Sequence, residues 1–135
     1  MADRQAINDL FADYAWAMDA RDFDLLAQVF HDDASFTIPI EGADTVGPFS
    51  PGSAVVEFIS STTQGQTDRR RHVITNVRFE EESDNEARVT ATLTLIVIDN
   101  GQLTVQSTGV YRAECVNSGS RWQFREFVLA LDLPF

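Results

Sequence analysis

Asp19 and His72 are the two side chains whose types suit proton transfer. Asp19 lies near the end of the run Tyr14-Ala-Trp-Ala-Met-Asp-Ala-Arg-Asp22. His72 lies in the run Arg69-Arg-Arg-His-Val-Ile-Thr-Asn76. Imidazole changes charge near neutral pH, and a carboxylate beside it fixes its tautomer and steadies its protonated form. Brought together in an apolar hollow, the two would make the smallest general acid/base device a protein can build. Apart, they are a helix-end acid and a strand-entry histidine.

Other candidates carry two readings each. Tyr14 sits one helical turn before Met18, as a core aromatic or as a hydroxyl donor to a substrate oxygen. Arg69-Arg70-Arg71 is the one positive run in an acidic chain. It reads as a solvated strand entrance or as a clamp at a pocket mouth for a carboxylate or a carrier-bound acyl chain, with Arg71 as a substrate-binding candidate. Asn76 follows His72 on the same strand and is a second candidate for holding a substrate oxygen. Trp16, Phe36 and Phe58 are core residues or pocket wall for a flat apolar ligand. Asp22 reads as a helix cap. His31-Asp32-Asp33 reads as an exposed helix end, because consecutive side chains do not converge on one ion, so no metal is expected. The chain has no Gly-rich phosphate loop and no Gly-x-Ser-x-Gly elbow, and its single thiol, Cys115, has no partner visible in the sequence. No cofactor is expected.

The elements that must position these groups follow from periodicity. Ile7, Leu10, Phe11, Tyr14, Ala15 and Met18 make a helical stripe over about 3 to 19. Asp22 caps a second helix carrying Leu25, Leu26, Val29 and Phe30, which Asp32-Asp33 breaks. A short strand covers 34–38. Residues 39–52 hold three of the four prolines and three of the seven glycines and read as a loop. Ser50 and Pro51 open a third helix running to about Thr62. Strands follow at 71–82, 86–99, 102–116 and 121–132, with Asp99-Asn100-Gly101 as a tight hairpin turn. On the strand from 71, Val73, Val77 and Phe79 take one face by simple alternation. His72, Ile74, Asn76 and Arg78 take the other, so His72 faces outward unless a bulge re-aims it.

The chain has 135 residues, 44% of them hydrophobic, enough for one domain over 1–135 with a real core. A net charge of −11 argues against nucleic acid and against anionic membranes as partners. No secretory leader is expected and no apolar stretch reaches transmembrane length, so a cytoplasmic location is the default expectation. Helices first, then a long antiparallel meander, give an α+β architecture with the helices on one face of a curved sheet. The strands at 86–99 and 102–116 are apolar on both faces, so a second copy is expected to cover the outer one, as a homodimer (or trimer).

The order and spacing resemble the SnoaL-like branch of the NTF2-like superfamily. The matching residues are Tyr14-x-x-x-x-Asp19-x-x-Asp22, Leu26-x-x-Val29-Phe30-x-Asp32-Asp33-Ala34-x-Phe36, Arg71-His72-x-x-x-Asn76 and Gly119-x-x-Trp122-x-Phe124. The resemblance implies a cone: three N-terminal helices packed on a strongly curved, mostly antiparallel sheet, with a pocket at the wide end. Among its enzymes the chain looks most like scytalone dehydratase, in which an aspartate ending the first helix orients a histidine on a later strand. That likeness assigns those roles to Asp19 and His72. The chain departs from that dehydratase at Met18, where the dehydratase has a tyrosine. It departs again over 90–93, where the dehydratase has a second catalytic histidine. The isomerase and epoxide hydrolase patterns of the superfamily would draw on Glu114, Glu126 and Asp132, or on Arg78, by residue type alone. The expectation is a cofactor-independent cyclase, dehydratase or isomerase acting on a polyketide-like or polycyclic apolar substrate, as in natural product biosynthesis. Its catalytic residues would be His72, Asp19 and Tyr14. The alternative is a non-catalytic ligand-binding module or an accessory protein like a dioxygenase small subunit.

Overall fold

The computed structural model describes residues 1–135. Helix α1 (Arg4–Ala20) opens on Asp3, whose carboxylate accepts the Ala6 N–H at 3.0 Å. A helix start leaves donors without partners, and the cap satisfies one of them. Ile7, Leu10, Phe11, Tyr14 and Ala17 are its buried stripe. The helix stops where Arg21 turns left-handed at φ 55° and returns its N–H to the Ala17 and Met18 carbonyls. Asp22 then caps α2 (Phe23–Val29) by accepting the Leu25 N–H at 3.0 Å.

The remaining elements are β1 (Phe30–Ile38), β2 (Val46–Phe49), α3 (Gly52–Gln64), β3 (Arg69–Glu82), β4 (Glu86–Asp99), β5 (Gln102–Asn117) and β6 (Trp122–Leu131). They form one open six-stranded sheet in the order β2-β1-β6-β5-β4-β3. Only the β1–β6 pairing is parallel. Register slips in β3–β4, β4–β5, β5–β6 and β1–β6 mark irregularities that bend and twist the strands. The helices sit on the concave face. Val89, Leu93, Tyr111, Phe124 and Phe127 from that face join the helix stripes in one core. On the convex face Leu103 and Val105 stay exposed. No helix is long and apolar enough to cross a membrane.

Three local expectations are corrected. The segment read as loop contains β2, which pairs with β1 at only two positions, Phe36↔Phe49 and Ile38↔Val46. It is an edge strand, where Pro48 can sit without breaking a ladder on both sides. Phe30 begins β1 instead of ending α2, because it pairs with Phe124 of β6. Helix α3 starts at Gly52 with Pro51 as an N-cap that makes no side-chain bond, so Ser50 is not its cap. Gly52 presses on β1 so closely that a Cβ there would lie 2.3 Å from the His31 carbonyl oxygen.

The feature of the fold that matters most for the site is a bulge in β3. Thr75 pairs with Thr92, yet Arg78 pairs with Thr90, so one extra residue enters β3 between them. Asn76 occupies it with φ 56°. Asparagine tolerates the left-handed region better than most residues. Before the bulge Arg70, His72 and Ile74 are the half-buried positions; after it Val77 and Phe79 are. Strict alternation along the whole strand therefore fails. Val73 is 39% exposed, and His72 faces the concave side.

Candidate active site

Asp19 lies in the last turn of α1, where the helix dipole disfavours a carboxylate. Two donors from β3 compensate. The His72 backbone N–H reaches Oδ1 at 3.0 Å and Oδ2 at 3.2 Å. The His72 ring Nδ1 lies 2.7 Å from Oδ1. A carboxylate on Nδ1 keeps the neutral ring's proton there, which leaves the Nε2 lone pair as the basic site. Both side chains are largely buried, at 10% exposure for His72 and 16% for Asp19.

The pair borders a cavity of about 370 Å³ between helices and sheet. Leu93, Leu95, Leu129, Leu131 and Phe36 of β1 form its sheet wall, and Phe58 of α3 lies on the helix side. Phe58 stacks on Phe49 at 3.9 Å, which fixes its ring. Tyr14 also lines the cavity and is almost fully buried. Its ring stands edge-on to the His72 ring at 6.3 Å. Burial pushes the Tyr14 hydroxyl far above its ordinary value, so it remains a neutral donor. Tyr111 sits behind it with ring centroids 5.8 Å apart. The two hydroxyls are near enough to bear on each other's ionisation. No hydrogen bond of ordinary geometry joins them, and the Tyr111 hydroxyl is buried without a partner.

Six of the eight residues singled out in the sequence border this cavity: Tyr14, Asp19, Phe36, Phe58, Arg71 and His72. Trp16 and Asn76 do not. Trp16 is 71% exposed on the outer side of α1, opposite the buried stripe. Asn76 is exposed in the bulge, where its work is conformational: it turns the strand so that His72 can point inward. Arg71 is also exposed and folds its guanidinium back to the Arg70 carbonyl at 3.0 Å, so it edges the mouth and does not face the ligand space. Arg70, read from the sequence only as a member of the positive run, lines the cavity, as do Asp68 and Arg21, which the sequence does not single out. Arg70 is within reach of the sequence, because it alternates with His72 at the strand period of two.

The other candidates lie elsewhere. His31-Asp32-Asp33, expected at a helix end, lies instead in β1, where His31 accepts the Asp33 N–H through Nδ1 at 3.1 Å. Cys115 is buried with its thiol pushed up to about 12 by desolvation. Arg78, Glu114, Glu126 and Asp132 do not border the cavity.

Solved structures share this fold. One is inferred to be the beta subunit of an aromatic-ring-hydroxylating dioxygenase from Novosphingobium aromaticivorans. It is 16% identical over 97% of this chain and 90% of its own, with a TM-score of 0.83. A second, inferred to be a scytalone dehydratase from the same organism, is 17% identical over 96% and 84%, with a TM-score of 0.77. A third is the hexachlorocyclohexane dehydrochlorinase LinA-type3 from Novosphingobium barchaimii. It is 22% identical over 95% and 85%, with a TM-score of 0.75. At these identities the likeness concerns the fold. No curated protein matches the chain. The family model for the SnoaL-like domain matches residues 1–128, and the chain belongs to that family.

Proposed function

We propose that the protein is a cofactor-independent acid/base enzyme acting on a small, largely apolar, polyketide-like or polycyclic molecule. The observation that carries this reading is the 2.7 Å contact between His72 Nδ1 and Asp19 at the edge of an apolar cavity. His72 Nε2 takes a proton from carbon beside a carbonyl. Asp19 stabilises the imidazolium that results. Tyr14 donates its hydroxyl hydrogen bond to the enolate oxygen as charge develops there. The imidazolium then returns its proton. Returned to another carbon, it completes an isomerisation. Given to a leaving hydroxyl as the C–O bond breaks, it releases water and completes a dehydration. If the enolate carbon first attacks a second carbonyl, the proton goes to the new alkoxide and a ring is closed.

An accessory scaffold of the same fold would need no such pair and could fill the hollow with side chains; a ligand carrier would keep the hollow but need no proton-transfer pair. The hollow here stays open beside His72. Proton exchange in deuterated water tests the proposal whatever the final product is. Wild-type protein and His72→Ala are incubated with a panel of polycyclic ketones, and loss of the α-proton signal is followed by NMR. Exchange is expected to slow by about 10²–10⁴-fold in the variant, the usual contribution of a general base. Equal exchange by the two proteins defeats the proposal.

A further inference from the structure

Arg70 and Asp68 border the cavity together, and the proton-transfer scheme uses neither. Arg70 lies two residues before His72 on the same face of β3, so their Cα atoms are separated by roughly 7 Å. Its Nε donates to Asp68 Oδ1 at 2.9 Å and its Nη2 to Asp68 Oδ2 at 3.3 Å. The pair is largely buried, at 15% exposure for Arg70 and 18% for Asp68. Arg21 holds the same loop from the other side, donating Nη2 to the carbonyls of Gln66 at 2.9 Å and Asp68 at 3.1 Å. The Arg70 side chain is therefore aimed by a fixed partner.

A guanidinium carries five N–H groups. Asp68 takes two from Arg70, and no other protein acceptor takes the rest. The remaining Arg70 donors are not sealed in the core, so a ligand entering the cavity can reach them. Charge points to the kind of ligand. All ten cationic side chains of the sequence are arginine, set against 21 acids. Four of those arginines (Arg21, Arg69, Arg70 and Arg71) border this one cavity, and only two acidic side chains do, Asp19 and Asp68. The hollow is locally positive in a chain of net charge −11. Such a field concentrates anions.

We infer that Arg70, aimed by Asp68, anchors a planar oxygen anion on the ligand, and that the substrate is an apolar molecule carrying a carboxylate or an acidic enol beside its reactive carbon. This deepens the proposed function by naming a substrate class. The leucine wall takes the apolar body, Arg70 takes the anion, and the proton to be removed comes within reach of His72.

1-Naphthoate and 1-naphthamide test the inference, because they match in ring and shape and differ in charge. Their affinities are measured by isothermal titration calorimetry at low salt. Naphthoate is expected to bind about ten-fold more tightly than the amide, the scale of one charge-assisted hydrogen bond, with the difference shrinking as salt is added. Arg70→Gln is expected to erase the difference, and Arg78→Gln, outside the cavity, to leave it unchanged. Arg70→Lys keeps the charge but loses the fork, and is expected to retain only part of the preference even if the glutamine variant does not fold. Equal wild-type affinities, no naphthoate binding, or a preference that survives both Arg70 variants would overturn the inference. Binding is read without turnover. A protein that selects naphthoate through Arg70 yet exchanges no proton refutes the acid/base proposal and leaves this one standing.

Discussion

The two ends of the concave face are built from the same strands and do opposite things. Toward the narrow end, β6 contributes Phe124 and Phe127, whose rings stack at 4.3 Å. Tyr111 of β5 stacks on Phe127 at 5.0 Å, and Phe11 of α1 meets Phe124 edge-on at 5.0 Å. Toward the wide end, β6 contributes Leu129 and Leu131, and β4 contributes Leu93 and Leu95. These leucines face a hollow of about 370 Å³. Helix α1 serves both ends, with Phe11 in the packed one, Tyr14 at the boundary between them and Asp19 at the open one. Rings consolidate one end and leave the other free for chemistry, so stability and activity should be separable by mutation.

Phe127→Ala is the strongest way to break that division. Phe127 is fully buried and meets Tyr14 as well as Phe124 and Tyr111. Removing a buried ring from such a site costs about 3–5 kcal/mol in transfer and cavity terms. Urea denaturation is expected to show a loss of that size, whereas His72→Ala should unfold close to wild type. A Phe127→Ala loss under about 1 kcal/mol would be far below the range for a packed aromatic, and would show that stability is not concentrated at the narrow end.

The bulge in β3 sharpens the same comparison, because it decides which end receives which side chains. Asn76 holds φ 56°, a region a β-branched residue enters only under strain. Asn76→Val is expected to lose about 1–3 kcal/mol and to lower His72-dependent proton exchange as the inward face slips. Asn76→Gly should match wild type in both. A valine variant with full stability and exchange would show that the bulge does not aim His72.

These residues also show how far the sequence can be read. Helix stripes, Asp caps and the 86–99 strand are local patterns, and each appears in the structure with its boundaries moved by only a residue or so. The Asp19–His72 pair is legible because the family spacing places both residues. The face of His72 is not, since one inserted residue reverses alternation and nothing in Thr75-Asn76-Val77 announces it. Arg70 and Arg71 are chemically identical, and only the phase of the strand tells the inward one from the outward one. Trp16 misleads because its aromatic character outweighs its position off the α1 stripe. The rings themselves do not say whether they will fill space or line it.

Tyr111→Phe probes the boundary between the two ends. The hydroxyl is buried with no partner, and burial raises its ionisation well above the ordinary value. Removing an unsatisfied buried polar atom without changing ring shape is expected to stabilise the protein by about 1 kcal/mol. Thermal unfolding should show a higher midpoint, with proton exchange unchanged because Tyr14 keeps its own hydroxyl. A clear loss of stability would mean that the Tyr111 hydroxyl has a partner, and that the packed end is less dry than its geometry indicates.

The smallest effect lies where α1 meets β3 a second time. At the wide end the two elements are joined by Asp19 and His72, largely buried; at the far end a half-exposed Arg4 joins Glu82, whose side chain is as covered as that of Asp19. Arg4 Nε donates to Glu82 Oε2 at 3.0 Å, and its guanidinium lies 4.6 Å above the Phe79 ring. The hydrogen bonds from Arg4 hold the Glu82 carboxyl below its usual range. A carboxylate depressed in the folded state stabilises the protein above its ordinary value, and that contribution fades as pH falls through the lowered native one. Wild type should therefore melt slightly above Glu82→Gln at neutral pH, and the gap should close as pH falls below the ordinary glutamate range and through the lowered native value. Added salt should shrink the neutral-pH gap, since exposed charges are screened. If the gap widened in acid, Glu82 would be favoured in its protonated form, and the seam between α1 and β3 would rest on the Asp19–His72 end alone.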